Sequence, residues 1–415
     1  MSEIRPLGPR PSRPQSRISR VRIRNYKSIA ECDVTLEPLT LIVGPNGTGK
    51  SNFLDAMAFV SDAVTSTPQR AIEIRNGLPE ILRRVPEPAT SFSIEIDFVL
   101  APDADEPEWK RWTYGFEIAT TPESAEHPFQ VSWEECRPSP TTSTSSFRAE
   151  RGVVSRPCHL NREVSVDLDR LYLPSASAVD KALDQLTRAL RGMRFYNFET
   201  SALRLPKPGV KQAVLGRRGE HLGDVLGDLS DSYPEVKSRV DDYLAAVAPS
   251  IVGIERHAVG RYVTIEMRQR SDDGTDAAFG PDAMSDGTIR TAGVLAALFQ
   301  APTQHGQVNL IGIEEPETAL HPAAAGALYD ALTEASEHVQ VIATTQSDDL
   351  LDRDDVDLDS VLAVGNMNGS TVIGPLDAAS QQIVRDGLFT VGALMRANQL
   401  SPEPGAVDQF GPVAE

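Results

Sequence analysis

Cysteine is scarce. Cys32, Cys136 and Cys158 are the only three in 415 residues, and no two stand at a C-x-x-C spacing. A disulfide framework or a cysteine-rich zinc site is not expected, and the usage suits a reducing cytoplasm. No run of about 18 apolar residues occurs, so no segment reads as a membrane-spanning helix and a transporter is not expected. The first residues lack the apolar stretch of a secretory leader. An excess of positive charge is missing too: 40 Lys and Arg against 59 Asp and Glu give a net charge of -19. Such a chain does not attract nucleic acid in bulk, so a DNA contact needs a local basic patch. No repeat of fixed period is visible.

The start of the chain offers one basic patch. Arg5, Arg10, Arg13, Arg17, Arg20, Arg22 and Arg24 stand against a single acid, Glu3. Residues 1–18, rich in proline, read as an unstructured basic arm, and the plain alternative to a DNA contact is a solvated tail. Residues 19–165 read as a first lobe. VRIRNYKSI and DVTLEPLTLIVG are strands, SNFLDAMAFVSDAV is a helix, and SFSIEIDFVL, RWTYGFEIAT and VSWEECRP are antiparallel strands. Residues 166–275 read as a helical insertion, with ALDQLTRALRGM, LGDVLGDLSDSY and PEVKSRVDDYLAAVAP as helices and RYVTIEMRQR as a strand. Residues 276–378 return to an α/β rhythm, where NLIGI and VQVIATT are the unbroken apolar runs of buried parallel strands. Residues 379–415 read as a C-terminal helix and a frayed tail.

Chemistry concentrates at a few places. Gly44-Pro45-Asn46-Gly47-Thr48-Gly49-Lys50-Ser51 fits G-x-x-x-x-G-K-[ST], between an apolar strand and a helix opened by Asn52. Glycines let backbone N–H groups turn toward phosphate oxygens, Lys50 reaches the outer phosphates, and Ser51 offers its hydroxyl to Mg²⁺. Asn309–Glu315 is a buried strand ending in two carboxylates. Glu314 stands where a metal is held, and Glu315 where an attacking water is polarised. Met284-Ser285-Asp286-Gly287-Thr288 opens a helix some way before that strand, a turn suited to an anion or simply an N-cap. Ala343–Ser347 closes the strand VQVIATT. His321 reads as a structural residue rather than a catalytic one. The acidic run from Asp348 to Asp359 reads as a solvated loop, because its spacing fits no EF-hand.

Taken in order, NYKSI, GPNGTGKSNFLDA, MSDGTIR, IGIEEPETALHP and IATTQSDDLLD resemble the ABC-type ATPases of the RecF and SMC kind. The closest likeness is to single-chain bacterial AAA-family ATPases with an OLD-like ATPase domain. The resemblance spans most of residues 19–395. It implies an α/β ABC-type P-loop head with a mixed sheet, an antiparallel β lobe and a helical insertion. It further implies that Gly44, Asn46, Gly47, Gly49, Lys50 and Ser51, with Pro45, Thr48 and Asn52 beside them, bind ATP and Mg²⁺. Glu314 would serve the metal and Glu315 the water. Ser285, Asp286, Gly287 and Arg290 would act across a homodimer closed by ATP, with Ala319-Leu320-His321-Pro322 as the interface segment.

Gln346 stands where relatives carry histidine. A Gln donates a hydrogen bond to a γ-phosphate but carries no charge, so hydrolysis is expected to be slow. The Q-loop residue has two candidates, Gln69 and Gln130. The residues after Leu376 are too few for the nuclease module of OLD proteins, so a nuclease or toxin-like effector is expected to be a separate protein. Phage defence or DNA repair, with or without DNA contact, is the expected setting. The alternative is a regulatory ATP-binding module for a protein partner.

Overall fold

The computed structural model describes residues 16–85, 87–102, 108–122, 127–139, 145–155, 164–271 and 274–403. The first fifteen residues, Cys158 and the tail from Pro404 lie outside the described residues. Along the chain come β1 (Arg17–Tyr26), β2 (Ile29–Thr35), β3 (Leu39–Val43), α1 (Lys50–Thr65), α2 (Pro68–Ile74) and α3 (Leu78–Ile81). An antiparallel set follows: β4 (Ser91–Leu100), β5 (Lys110–Thr120), β6 (Phe129–Ser139), β7 (Phe147–Glu150), β8 (Val153–Ser155) and β9 (Val164–Ser165). Next are α4 (Leu173–Ala176), α5 (Lys181–Arg191), β10 (Met193–Tyr196), α6 (Thr200–Arg204), β11 (Lys207–Pro208), α7 (Leu222–Ser232) and α8 (Pro234–Val247). Then come β12 (Ile251–Val259), β13 (Tyr262–Arg270), β14 (Asp276–Phe279), α9 (Asp286–Phe299), α10 (Ala301–Gln304) and β15 (Leu310–Glu314). The chain closes with α11 (Ala325–Ser336), β16 (Gln340–Thr345), β17 (Val361–Met367), β18 (Ser370–Pro375), α12 (Ala378–Arg385) and α13 (Val391–Arg396).

One mixed sheet carries fourteen strands in the order β10-β15-β16-β3-β17-β18-β2-β1-β4-β5-β6-β7-β8-β9. Strands β10, β15, β16, β3 and β17 run parallel, and their apolar runs are buried because both faces are covered. Successive side chains of a strand point to opposite faces. Accordingly, Ile42, Leu310, Ile342 and Leu362 join the core that holds Phe53, Met57 and Val60 of α1. Leu41, Val43, Ile311, Val341 and Ala343 join the core that holds α9 and α11. From β1 outward the sheet is antiparallel, and β4 alternates buried and half-buried residues along its length.

Two readings of the sequence change here. Arg17 is already in β1, and the arginines at its core-distal positions are not a free basic patch. Arg20 pairs with Asp33, Arg22 with Glu95 and Asp97, and Arg24 with Glu31. The acids come from β2 and β4, the two strands that flank β1. Span 166–275 is not only helical: β11, β12, β13 and β14 form a second, four-stranded sheet, and β10 belongs to the main one. Among the described residues, no helix is long and apolar enough to cross a membrane.

Candidate functional site

The loop 44–49 joins the end of β3 to the start of α1, so it sits at the carboxyl edge of the parallel strands. Gly47 and Gly49 take φ of 75° and 104°, a region that side chains resist. A Cβ on Gly49 would lie 2.1 Å from Thr371 Oγ1, and one on Gly44 would lie 2.4 Å from the Val364 carbonyl. The loop is braced from outside: Thr371 Oγ1 donates to the Thr48 carbonyl at 2.6 Å, and Asn52 Nδ2 donates to Ser28 Oγ at 2.6 Å. Thr48 Oγ1 donates to the Pro45 carbonyl at 2.8 Å. Asn46 is exposed at the loop crest. Lys50 is buried, and its Nζ donates to the carbonyls of Gly44 at 2.7 Å and Pro45 at 3.0 Å. Burial pushes its ammonium below the ordinary lysine range, while Glu315 and Glu317 pull it back up.

Three carboxylates stand at the end of β15. Burial pushes the Glu314 carboxyl above the ordinary range, opposed by a hydrogen bond from Ser51 and by the charge of Arg217. Ser51 and Glu314 are therefore already in contact, a pair of oxygen ligands of the kind hard divalent cations take. Glu315 adopts φ of 43°, and its N–H donates to the Thr344 carbonyl at 3.0 Å. Its Oε2 accepts from Gln346 Nε2 at 3.2 Å and Thr318 Oγ1 at 3.3 Å. Glu317 accepts from Thr345 Oγ1 at 2.6 Å and from the Gln346 N–H at 3.3 Å. Its Oε2 is buried without a partner, and burial pushes its carboxyl up as well. The glycine cradle, the lysine and the unshared carboxylate oxygens fit a phosphate chain with a divalent cation: Gly44 to Ser51 would hold phosphates, and Ser51 with Glu314 the metal.

Ser285 caps α9, its Oγ accepting from the Thr288 N–H at 3.1 Å. Asp286 pairs with Arg204 at 2.8 Å. A Cβ on Gly287 would lie 2.3 Å from the Ala319 carbonyl, so the turn at α9 and the 319–322 segment fit against each other only because this residue is glycine. Ser285, Asp286, Ala319, His321 and Pro322 are exposed. Among the described residues, no hydrogen bond or ion pair joins Ser285, Asp286 or Gly287 to loop 44–52 of the same chain. In the single chain, Arg290 Nη1 donates to the Phe198 carbonyl at 2.5 Å. Burial lowers its guanidinium, while Glu315, Glu317 and Asp286 act to raise it.

Sequence reasoning gave no role to Glu317, Asp55, Thr371 or Arg217. Asp55 follows Ser51 by one helical turn, and that spacing could have pointed to it. Thr371 and Arg217 come from distant segments with no local pattern. The Q-loop candidates lie elsewhere: Gln69 donates to Glu73 on α2, and Gln130 is on β6 of the antiparallel set. His321 Nδ1 accepts from the Ala323 N–H at 3.2 Å, a cap. In the acidic run, Asp348 and Asp352 pair with Arg396, and Asp355 pairs with Arg353. Among the described residues, no group of three or more His, Cys, Asp or Glu is placed to hold a metal ion.

Comparison with known proteins bears on the family and the fold. A family model described as "AAA domain, putative AbiEii toxin, Type IV TA system" matches residues 39–352. No curated protein sequence matches the chain. Among solved structures, an SMC head bound to the C-winged helix domain of ScpA is 15% identical, with a TM-score of 0.53 over 88% of this chain and 99% of that one. An SMC head with an extended coiled coil, bound to the C-terminal domain of ScpA derived from Pyrococcus furiosus, is 13% identical. Its TM-score is 0.51 over 90% of this chain and 99% of that one. The chain belongs to this AAA-domain family, an ATPase family, and has the fold of the SMC heads.

Proposed function

We propose that two copies of this chain close face to face around ATP and Mg²⁺, and that binding and slow hydrolysis act as a switch or clamp on a separate effector. One observation carries the reading. The exposed N-terminus of α9, at Ser285 and Asp286, is locked through Gly287 to the exposed 319–322 segment, and it makes no polar contact with its own P-loop. An anion-binding turn displaced from its own phosphates and built into one rigid block with its neighbour suits the γ-phosphate of a second copy.

Within each copy, Gly44 to Ser51 would grip the phosphates. Lys50 would leave the Gly44 and Pro45 carbonyls for the phosphate oxygens. Ser51 and Glu314 would hold Mg²⁺, which supplies charge neutralisation on the phosphates. Glu315 is the group to polarise water, and Gln346, hydrogen-bonded to it, orients that carboxylate without adding charge. The neutral Gln346 supports slow turnover, which suits a clamp more than a motor. Head domains of this fold solved with a bound ScpA domain support a protein partner here. DNA remains the further candidate partner. Arg20, Arg22 and Arg24 of β1 are neutralised, so they do not support it.

Phosphate release by Glu315→Gln tests the catalytic assignment. Turnover is expected to fall by roughly 100-fold or more while ATP affinity holds, as for loss of a general base. Unchanged turnover contradicts it. A fast wild-type turnover that Gln346→Ala leaves alone contradicts the clamp.

A further inference from the structure

The turn at 215–220 is fastened to the main sheet. Asn197 N–H donates to the Arg217 carbonyl at 2.9 Å, and Glu199 N–H donates to the Arg218 carbonyl at 3.0 Å. Leu215 N–H donates to the buried Gln300 Oε1 at 3.1 Å. Gly219 takes φ of 102°, and a Cβ there would lie 2.3 Å from Leu203 Cδ2, so the turn sits tightly on its support. Tyr196 of β10 is level with Ile313 of β15. Asn197, which follows Tyr196, holds the Arg217 backbone near the end of β15, where the charge of Arg217 acts on Glu314, the carboxylate assigned to the metal. Arg217 stands on the flank of β15 away from the P-loop strand β3.

Two arginines meet Asp55, and they differ. Arg75 is buried and fully bonded: Nε donates to Asp55 Oδ1 at 2.9 Å, and Nη1 donates to Asp62 and to the Ala71 carbonyl. Asp55 also accepts from Tyr26 OH at 2.8 Å and pairs with Lys27 at 2.6 Å. These partners hold its carboxyl below the ordinary range against the opposing effect of burial. Asp55 is satisfied without Arg217, whose Nη2 stands 3.8 Å away on a side chain 45% exposed. Among the described residues, the Arg217 guanidinium makes no hydrogen bond. A guanidinium carries five N–H donors, and its fork matches phosphoryl oxygens. Here the backbone is clamped, the donors are uncommitted, and the nearest carboxylate is already filled.

We infer that Arg217 is a phosphate-contacting cation of this chain's own nucleotide site, reaching the outer phosphate of ATP from the Glu314 side. The inference rests on the ATPase reading above. It also gives the inserted segment a direct hold on the nucleotide, because the same turn leads into α7, which packs on β12 and β13.

The test uses the full chain with Glu315→Gln, so that ATP persists. Affinities for fluorescent ATP and ADP analogues with Mg²⁺ are measured with and without Arg217→Ala or Arg217→Lys, alongside melting without nucleotide. Arg217→Ala is expected to weaken ATP about tenfold or more, about 1.4 kcal/mol, and ADP by no more than about twofold. Arg217→Lys keeps part of the ATP preference, and melting without nucleotide stays put because Asp55 retains Arg75 and Lys27. Equal affinities before and after Arg217→Ala, or equal losses for ATP and ADP, overturn the inference and leave the ATPase reading intact. If the Glu315→Gln parent binds neither nucleotide, the ATPase reading falls and takes the inference with it.

Discussion

Two regions of the main sheet treat charge in opposite ways. Along β1, each arginine from Arg20 to Arg24 has its acid on a neighbouring strand. At the end of β15, Glu314, Glu315 and Glu317 crowd within four residues, and the nearest lysine, Lys50, spends its protons on backbone carbonyls. Paired surface charges of the first kind contribute about 0–1 kcal/mol each and serve mainly to fix register and solubility. Buried like charges of the second kind cost free energy in the isolated chain. On the proposed reading, a fold that keeps them holds a place for a cation and a phosphate chain. The lesson is that charge left unbalanced and half-buried marks the site, whereas charge density alone, as in the arginine-rich start of the chain, does not.

The sharpest way to break that comparison is Lys50→Ala. Charge-assisted bonds to phosphate should vanish, so ATP affinity measured by calorimetry is expected to fall roughly 100-fold. Retained affinity would remove the site from the P-loop.

Next in size is Glu134, an acid at the antiparallel end that pairs with no cation among the described residues. It accepts from Tyr114 OH at 2.9 Å, from the Leu173 N–H at 3.0 Å and from the Tyr172 N–H. Burial still outweighs these donors and pushes its carboxyl up to about 7. A folded-state value above the unfolded one means the native protein binds the extra proton. Its contribution is fully present below the ordinary range and is lost as pH rises toward 7, on the order of 3 kcal/mol in all. Denaturant unfolding at pH 5 and pH 8 should show wild type losing that stability relative to Glu134→Gln, and parallel pH profiles would contradict it.

The smallest effect belongs to Arg20→Ala. Its pair with Asp33 is surface-exposed, so a loss of under about 1 kcal/mol is expected by the same unfolding measurement. A much larger loss would mean that the paired strands do more than fix register.

The parallel strands were legible because burial on both faces leaves unbroken apolar runs, as in NLIGI and VQVIATT. β4 was legible because one side is core and the other half-buried, which imposes alternation. β10 was not: four residues inside MRFYNFETSALRLP carry no readable period, and only the neighbouring β15 makes a strand of them. The hairpin β12–β13 was half legible, since YVTIEMRQR alternates while the far half of β12 is exposed along its length. At the site, the glycine spacing and the paired acids after an apolar strand are local patterns, and the structure places Ser51 against Glu314 and Gln346 against Glu315. The inward turn of Arg290 toward Phe198 depends on a residue 92 positions away, as the β1 arginines depend on acids up to 75 away. No sequence window contains such partners.

The face-to-face dimer is tested most directly by the mass in solution of Glu315→Gln, with and without ATP and Mg²⁺. Twice the chain mass with nucleotide and the single-chain mass without it is the expected result. A variant that demonstrably holds ATP and stays at the mass of one chain at every accessible concentration would contradict a site completed by a second copy.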